Sequence, residues 1–248
     1  MRRILTLSAA GLALWSAAGG CGLLNYSYSF DAQEFNQSLG DQSHPETVPT
    51  VACTPGASPD PCAAAQAQLP AGSGTLTCDA TKKSCVGSAE LRLPQEIDLR
   101  KAMTSLPSEV VQFTVDSVAI DKITYWVKTN TLNVTTPPVD VYVAPDAATK
   151  ETDAGAVKLG TVASLAAKST DCGDKQDAKG ETGVTTRVCD LPLTDAGQRA
   201  LGEFVKNYKT TPFKIIVHTV VTAEGGTPVP AGAIDLFVRP SVTLSILK

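Results

Sequence analysis

The chain has 248 residues, with 21 lysine and arginine residues, 25 aspartate and glutamate residues and a formal net charge of −4 at pH 7. This length accommodates one larger or two smaller domains. The mild excess of acidic residues argues against nucleic-acid binding, which is typical of proteins with clustered lysine and arginine.

The first twenty residues have the layout of a secretory signal peptide. Arg2 and Arg3 precede an apolar stretch at residues 4–18, and two glycines follow it. The stretch is short for a membrane span, which needs about 20 predominantly apolar residues. We predict that residues 1–20 are a signal peptide that is removed on export, which leaves 19 basic and 25 acidic residues.

A cysteine follows the small residues at the end of the apolar stretch. The segment Ala18-Gly19-Gly20-Cys21 resembles the lipobox of bacterial lipoproteins, in which the cysteine becomes the first mature residue and carries acyl chains. That family usually has a larger aliphatic residue in place of Ala18. The resemblance implies a lipid anchor on Cys21 in the bacterial cell envelope, and Gly22 after the cysteine implies the outer membrane. The alternative is an ordinary secreted protein whose first cysteine lies near the cleavage site.

Cysteine number supports the same interpretation. The chain has seven cysteines, and lipidation of Cys21 would leave an even set: Cys53, Cys62, Cys78, Cys85, Cys172 and Cys189. Six cysteines can form three disulfides in an oxidising compartment. Short spacing favours three local pairs, Cys53–Cys62, Cys78–Cys85 and Cys172–Cys189. The first four cysteines nevertheless allow three pairings, among which the sequence does not choose.

Two segments of different character follow the anchor. Residues 21–50 are predicted to be the lipidated N-terminus and a tether, because small and polar residues dominate without a period. The alternating "NYSYSFD" leaves open an edge strand instead. Residues 51–88 form a cysteine-bearing segment with few large apolar residues, which disulfides would have to hold together. A short helix is expected after Pro61.

Residues 89–248 are predicted to form an antiparallel, immunoglobulin-like β-sandwich with one helix. "VDVYVAP" alternates with its valines inward, and "FKIIVHTVV" is apolar enough for a central strand covered on both sides. Pro94 is expected to break its strand and Arg239-Pro240 to form a bend or bulge. The helix is "TDAGQRALGEFVKNY", capped by Thr194 or Asp195, with one apolar face: Ala200, Leu201, Phe204, Val205 and Tyr208.

One stretch of this domain carries a family resemblance. "KITYWVKTNTLNVTTPPVDVYVAP" resembles the strand, Asn-rich turn, proline and strand of late-embryogenesis-abundant group two domains. In that family the turn commonly reads Asn-Pro-Asn, whereas here Asn130-Thr131-Leu132-Asn133 precedes two prolines. The resemblance covers residues 110–247. It implies a β-sandwich with one helix and a non-enzymatic role in envelope or stress physiology, with no catalytic residues.

The sequence contains few candidates for catalytic residues. The sequence contains no G-x-S-x-G, H-E-x-x-H or P-loop motif. His218 is interpreted as a half-buried, hydrogen-bonded strand residue, and His44 as a solvated one. Trp126 and Tyr142 are expected on outward-facing positions of adjacent strands, where they could form a sugar-binding platform or be covered by the helix or the cysteine segment.

No metal site and no cofactor are predicted. Zinc ligands need closely spaced cysteines and histidines, whereas the chain has no C-x-x-C and both histidines lie far from any cysteine pair. The acidic residues of "DCGDKQDAKGE" are interleaved with lysines and lack the spacing of an EF-hand. We interpret this loop as solvated.

The sequence therefore predicts a lipid-anchored cell-envelope protein with a binding or scaffolding role and no catalysis. Its partners would be the membrane, through the acyl chains, and an envelope protein, a glycan or a lipid. The first alternative is a carbohydrate- or lipid-binding module on the same anchor. The second is a secreted hydrolase that uses His218 or an acidic pair, which the empty motif search ranks last.

Overall fold

Two antiparallel β-sheets, one of six strands and one of five, form the body of the protein. The computed structural model describes residues 24–29, 33–39, 46–69, 74–97, 114–172, 176–179, 185–207 and 212–247. Within these ranges the chain forms eleven strands and two helices. The predicted mainly-β sandwich, with a disulfide-bearing segment before it, is confirmed. In the part of the chain described, neither helix has the length and apolar character that crossing a bilayer requires.

The six-stranded sheet is built around the last strand of the chain. Its members are β1 (Leu24–Ser29), β2 (Gln33–Ser38), β5 (Thr114–Asn130), β8 (Gln176–Lys179), β9 (Thr185–Asp190) and β11 (Ala233–Leu247). One edge of β11 pairs with β5, and the other pairs first with β2 and then with β1. Strands β1 and β2 thus run one after the other along the same edge.

These first two strands correct the prediction of a tether at residues 21–50. The alternative, an edge strand at "NYSYSFD", is the arrangement found, with Leu24 opposite Ile246. Strand β2 continues it and places Phe35, which is 2% exposed, in the core between the sheets. A segment that contributes a fully buried phenylalanine to the core belongs to the domain, since burial of such a side chain stabilises by about 2 kcal/mol.

The five-stranded sheet has β10 at its centre, as predicted. Its order is β3 (Thr75–Asp79), β4 (Ser84–Ile97), β10 (Phe213–Glu224), β6 (Val139–Pro145) and β7 (Val157–Val162). Alternation in β6 is also as predicted, because Val139, Val141 and Val143 are buried between the sheets.

Two prolines lie inside strands, and the sheet topology explains both. The prediction that Pro94 breaks its strand is wrong, because β4 continues to Ile97. Strand β3 pairs with β4 only as far as Ser88, so beyond that point one edge of β4 has no described strand partner and a missing N–H is tolerated. Pro240 lies in the gap between β2 and β1, and a bulge follows between Ser241 and Val242.

The helix on the sandwich covers an open strand edge. Helix α2 (Asp195–Lys206) begins at the cap residue Thr194, whose Oγ1 accepts a hydrogen bond from Gly197 N at 2.9 Å. Leu201 and Val205 are buried against the core, as predicted, whereas Tyr208 lies outside the described residues. The helix packs along the first half of β5, which β9 leaves uncovered because those strands pair only at Thr124 and Tyr125.

Two disulfides organise a small second core at one end of the sandwich. The bonds are Cys53–Cys78 and Cys62–Cys85, so the predicted local pairing of these four cysteines is wrong. Helix α1 (Pro61–Gln66), expected after Pro61, carries one of them. The segment before it runs beside the β3–β4 hairpin, with Cys53 N donating to Lys83 O at 3.0 Å and Cys85 N to Val51 O at 2.9 Å. These backbone hydrogen bonds bring together cysteines that are distant in sequence.

This second core lies between the segment at residues 46–85, which we call the cysteine module, and the end of β10. Its buried residues are Val48, Cys53, Cys62, Ala65, Leu76, Cys85, Ala223 and Val229. The third disulfide, Cys172–Cys189, is the predicted local pair and lies in the main core instead. Tyr125 donates a hydrogen bond from its hydroxyl to Cys172 O at 3.3 Å and ties that disulfide to β5.

Candidate functional site

A polar row crosses the outer face of the five-stranded sheet. Strand register aligns Arg92 of β4, His218 of β10, Asp140 of β6 and Thr161 of β7. The side chains alternate along each strand, so the neighbouring residues face the apolar core and these four face outward. The row brings titratable and hydrogen-bonding groups from four neighbouring strands side by side.

The centre of the row is a group that we call the His218 cluster, formed by Glu90, Arg92, Glu151 and His218. His218 Nε2 lies 2.9 Å from Glu90 Oε1 and 3.8 Å from Glu151 Oε1. Arg92 donates from Nε to Glu151 Oε2 at 3.0 Å and from Nη2 to Oε1 at 3.2 Å. The Glu151 side chain is 13% exposed and that of His218 19%, so the network lies partly under the loop between β6 and β7.

The two-pronged contact pairs the positive charge of Arg92 with the negative charge of Glu151. The hydrogen bond from Arg92 holds the pKa of Glu151 below its ordinary value, and burial opposes this only in part. The same hydrogen bond raises the pKa of Arg92. Both groups are therefore ionised at neutral pH. A planar guanidinium held by two oxygens of one carboxylate is among the stronger charge pairs in proteins.

A second charged group continues the row toward β7. Lys158 Nζ lies 2.7 Å from Asp140 Oδ1, and Thr161 donates to the same carboxylate oxygen at 2.9 Å. Burial acts to raise the pKa of Asp140, but these hydrogen bonds outweigh it and the net shift is downward. Burial also raises the pKa of Tyr142, whose hydroxyl lies 3.5 Å from Asp140 Oδ2.

The cluster has donor atoms that could bind a metal ion, but the negative charge of Glu151 is already paired with Arg92. One atom each of Glu90, Glu151 and His218 lie within 4.8 Å of one another. Arg92 already bonds Glu151 at both oxygens, so a cation would have to displace a guanidinium. Cys53, Cys62 and Cys85 also lie close together, but their sulfurs belong to disulfides and are not thiolate ligands.

Sequence reasoning identified His218 correctly as a half-buried, hydrogen-bonded strand residue, but it missed the partners. Glu90 lies 128 residues from His218 along the chain, and Glu151 lies 59 residues from Arg92. Only the register of β10 with β4 and the path of the β6–β7 loop bring them together. The sequence signal was limited to alternation, which placed each polar residue on an outward face.

The predicted aromatic platform of Trp126 and Tyr142 does not form. Trp126 lies in β5 of the six-stranded sheet and Tyr142 in β6 of the other sheet, and each faces away from the core. The expectation of adjacent strands is wrong because the chain crosses between sheets at residues 131–138. Tyr142 packs instead on its own sheet against Ala144, Ala148 and Ile216.

Trp126 takes part in a different arrangement on the outer face of its own sheet. Its ring stacks on that of Phe237, with centroids 5.1 Å apart and an interplanar angle of 11°. The Arg239 guanidinium lies 5.3 Å from the Trp126 centroid, and Lys128 Nζ lies 5.6 Å from that of Phe237. The described contacts of the Trp126 ring are therefore with side chains of its own sheet.

Several predicted positions lie outside the described residues. Cys21 precedes the first described residue, Leu24, by three positions, and His44 falls between the described ranges. Most of the acidic loop around residues 173–184 is also outside them, apart from the short strand β8.

Comparison with known proteins gives no family for this chain. No family model matches it, and no curated protein does. A chain from the structure of Desmodium yellow mottle tymovirus aligns over 100% of this chain and 97% of its own length, with 9% sequence identity and a TM-score of 0.21. A similarity at that level supports no conclusion about fold or function.

Proposed function

We propose that this chain is a lipid-anchored protein of the bacterial cell envelope that acts by binding or scaffolding. The observation that carries the proposal is the disulfide pattern. Three bonds use all six cysteines after residue 50, so the seventh, Cys21, has no partner left among them. An unpaired cysteine at the end of a signal-peptide-like segment is the group that lipoprotein processing acylates.

Disulfides also support export. Such bonds persist in oxidising compartments and are rare in the bacterial cytosol. The envelope location follows from the anchor, and the outer membrane follows from Gly22 after the cysteine. The turn at Asn130–Asn133 and the following prolines, which resemble those of late-embryogenesis-abundant group two domains, support a non-enzymatic role for the sandwich.

The His218 cluster supports binding rather than turnover. A general base must be free to accept a proton from a substrate. Glu151 does not meet this requirement, because Arg92 holds both of its carboxylate oxygens. The His218 cluster forms a charged, half-buried surface that a polar partner can contact.

The first test is the intact mass of the protein extracted from bacterial membranes, before and after reduction and alkylation. We expect the mass of residues 21–248 plus acyl chains, with six alkylation sites that appear only after reduction. A chain cut elsewhere, or one with a free Cys21 thiol and no acyl mass, would overturn the proposal in favour of a soluble secreted protein.

A matched pair of variants tests the anchor in cells. Gly22→Ala should still incorporate labelled fatty acid, whereas Cys21→Ala should not. Equal incorporation of labelled fatty acid by the two variants would show that Cys21 does not carry the anchor.

A further inference from the structure

The sandwich has two distinct ends, which we call basal and distal. Each end is formed by strand termini of both sheets. The basal end is where these strand termini meet: Leu24, Ile97, Thr114, Pro145, Val157, Phe213 and Leu247. Helix α2 links the two sheets there. The Phe204 ring lies 5.4 Å from that of Phe213, and Gly202 approaches Val118 O of the other sheet.

The cysteine module occupies the opposite, distal end. Its core includes Ala223, which is next to the last residue of β10, and Cys85, which is the second residue of β4. Along the other sheet, β11 runs from Ala233, opposite Ser38, to Ile246, opposite Leu24. Thirteen residues of strand separate these levels, which corresponds to about 43 Å at about 3.3 Å per residue.

The lipidation site proposed above is close in sequence to the basal end. Cys21 is three residues before Leu24, and three residues of extended chain span at most about 11 Å. Strand β1 is fixed to β11 over six residue pairs, with further hydrogen bonds such as Ser245 Oγ to Asn25 Oδ1 at 2.8 Å. The anchor therefore connects to the rigid sheet with almost no linker.

Electrostatics does not favour laying a side of the sandwich on the membrane. The described side chains of β2, β5 and β11 include three basic and three acidic groups: Lys122, Lys128, Arg239, Glu34, Asp121 and Asp235. Anionic headgroups attract surfaces with an excess of lysine and arginine, by about 1 kcal/mol for each such residue near the surface. A balanced face gains little from that contact, so electrostatics gives no reason for these three strands to lie flat on the membrane.

We infer that the protein stands on the lipid surface by its basal end and presents the cysteine module about 40 Å or more from the membrane. Among the described residues, the surface nearest to the lipid headgroups comprises the basal strand ends. The surface farthest from the membrane, which a partner across the envelope would meet first, is the distal module. This inference rests on the proposed lipid anchor at Cys21.

Tryptophan-to-lipid energy transfer measures this orientation. The chain has two tryptophans, and Trp15 lies in the predicted signal peptide, so Trp126 reports alone in residues 21–248. Two further variants move the reporter to exposed positions: Trp126→Phe with Ser117→Trp at the basal end, and Trp126→Phe with Ala80→Trp in the distal hairpin turn.

The oxidised chain of residues 21–248 is coupled through the Cys21 thiol to a maleimide-headgroup lipid in phosphatidylcholine vesicles that also contain a dansyl-headgroup lipid. We expect transfer several-fold stronger from residue 117 than from Trp126, and weakest from residue 80. Equal transfer from all three positions would overturn the end-on orientation. Because coupling replaces natural acylation, this result is independent of the intact-mass test, which alone decides whether Cys21 is lipidated.

A linker variant provides the control. Insertion of about 15 glycine and serine residues after Gly22 adds a flexible span of about 20 Å. We expect this insertion to reduce transfer from residue 117 at least twofold and to remove most of the difference between the three positions. If the difference persisted, contacts other than the short connection would orient the protein, contrary to the inference.

Discussion

At the scale of single residues, the strongest electrostatic feature is the Arg92–Glu151 pair over the five-stranded sheet. It joins β4 to the loop that connects β6 and β7. The Glu151 pKa lies below its ordinary value because of the hydrogen bond from Arg92. A carboxyl group with a lowered pKa in the folded state stabilises that state above the unfolded pKa.

Glu151→Gln should therefore lower the free energy of unfolding at pH 7 by about 1.5 kcal/mol. The loss should shrink as the pH falls below about 4.5 and through the lower pKa of the folded state, because protonation removes the same charge from the wild type. Urea unfolding at pH 7 and pH 3 measures the difference. Glu203→Gln, on the exposed face of α2, is the control and should change stability little at either pH. A constant effect of Glu151→Gln at both pH values would contradict the assigned charge pair.

The hydroxyl of Thr194 makes two hydrogen bonds, one that caps α2 and one that ties the helix to β7. Its Oγ1 caps α2 by accepting from Gly197 N and donates to Lys158 O at 2.7 Å, which fastens the helix to β7. Thr194→Ala should lower stability by about 1 kcal/mol or slightly more, as loss of a helix cap does. Thr194→Ser keeps the hydroxyl and should recover most of the loss in thermal or urea unfolding. Equal stability of the two variants would exclude the capping role.

At the scale of elements, the three disulfides close loops of similar length but belong to different cores. Cys62–Cys85 spans 23 residues and Cys172–Cys189 spans 17. Chain entropy assigns each about 3 kcal/mol. The first stabilises the cysteine module, whereas the second lies in the main core between the sheets.

Removal of these two bonds should consequently have different effects. In Cys62→Ala with Cys85→Ala, amide hydrogen exchange should accelerate in residues 46–85 while β10 and β11 stay protected. In Cys172→Ala with Cys189→Ala, the global free energy of unfolding should fall by about 3 kcal/mol. If both double variants accelerated exchange equally throughout the sheets, the module and the sandwich would be one cooperative unit.

Local sequence patterns correctly predicted those elements whose structure depends mainly on residues close to each other in the chain. The helix at residues 195–206, the alternation of β6 and the central position of β10 follow from periodicity and apolar content. Pro94 was predicted wrongly because tolerance of a proline depends on which strand edge is unpaired. The cysteine pairs were predicted wrongly because the segment before α1 folds back beside the β3–β4 hairpin.

At the scale of the whole molecule, the described residues of the two sheets enclose a small apolar cavity between them. This cavity measures about 20 Å³ and is lined by residues of both sheets, among them Leu91 of β4, Val217 of β10 and Leu236 of β11. This volume holds about one water molecule. A larger groove of about 590 Å³ lies between α2 and β5, but it is open on the surface.

A lipid cargo would not fit into this cavity, because its volume is that of about one water molecule. Organic extraction of the Cys21→Ala protein, purified without detergent, should release no lipid in stoichiometric amount. A reproducible molar equivalent of one lipid would contradict this and would direct attention to the groove beside α2. A binding role for the displayed surfaces does not depend on an internal cavity.

The sequence by itself determined the class of fold, the capped helix and the position of a cysteine behind a signal-peptide-like segment, because hydrophobic period, capping residues and residue order are local properties. Tertiary structure decided the rest. Trp126 and Tyr142 lie in different sheets. Strand register brings Arg92 and His218 together, and the cluster is completed by Glu90 and Glu151. The segment that was predicted to be a tether forms β1 and β2, which pair with β11. Each of these depends on contacts between residues far apart in the chain, which a local pattern does not encode.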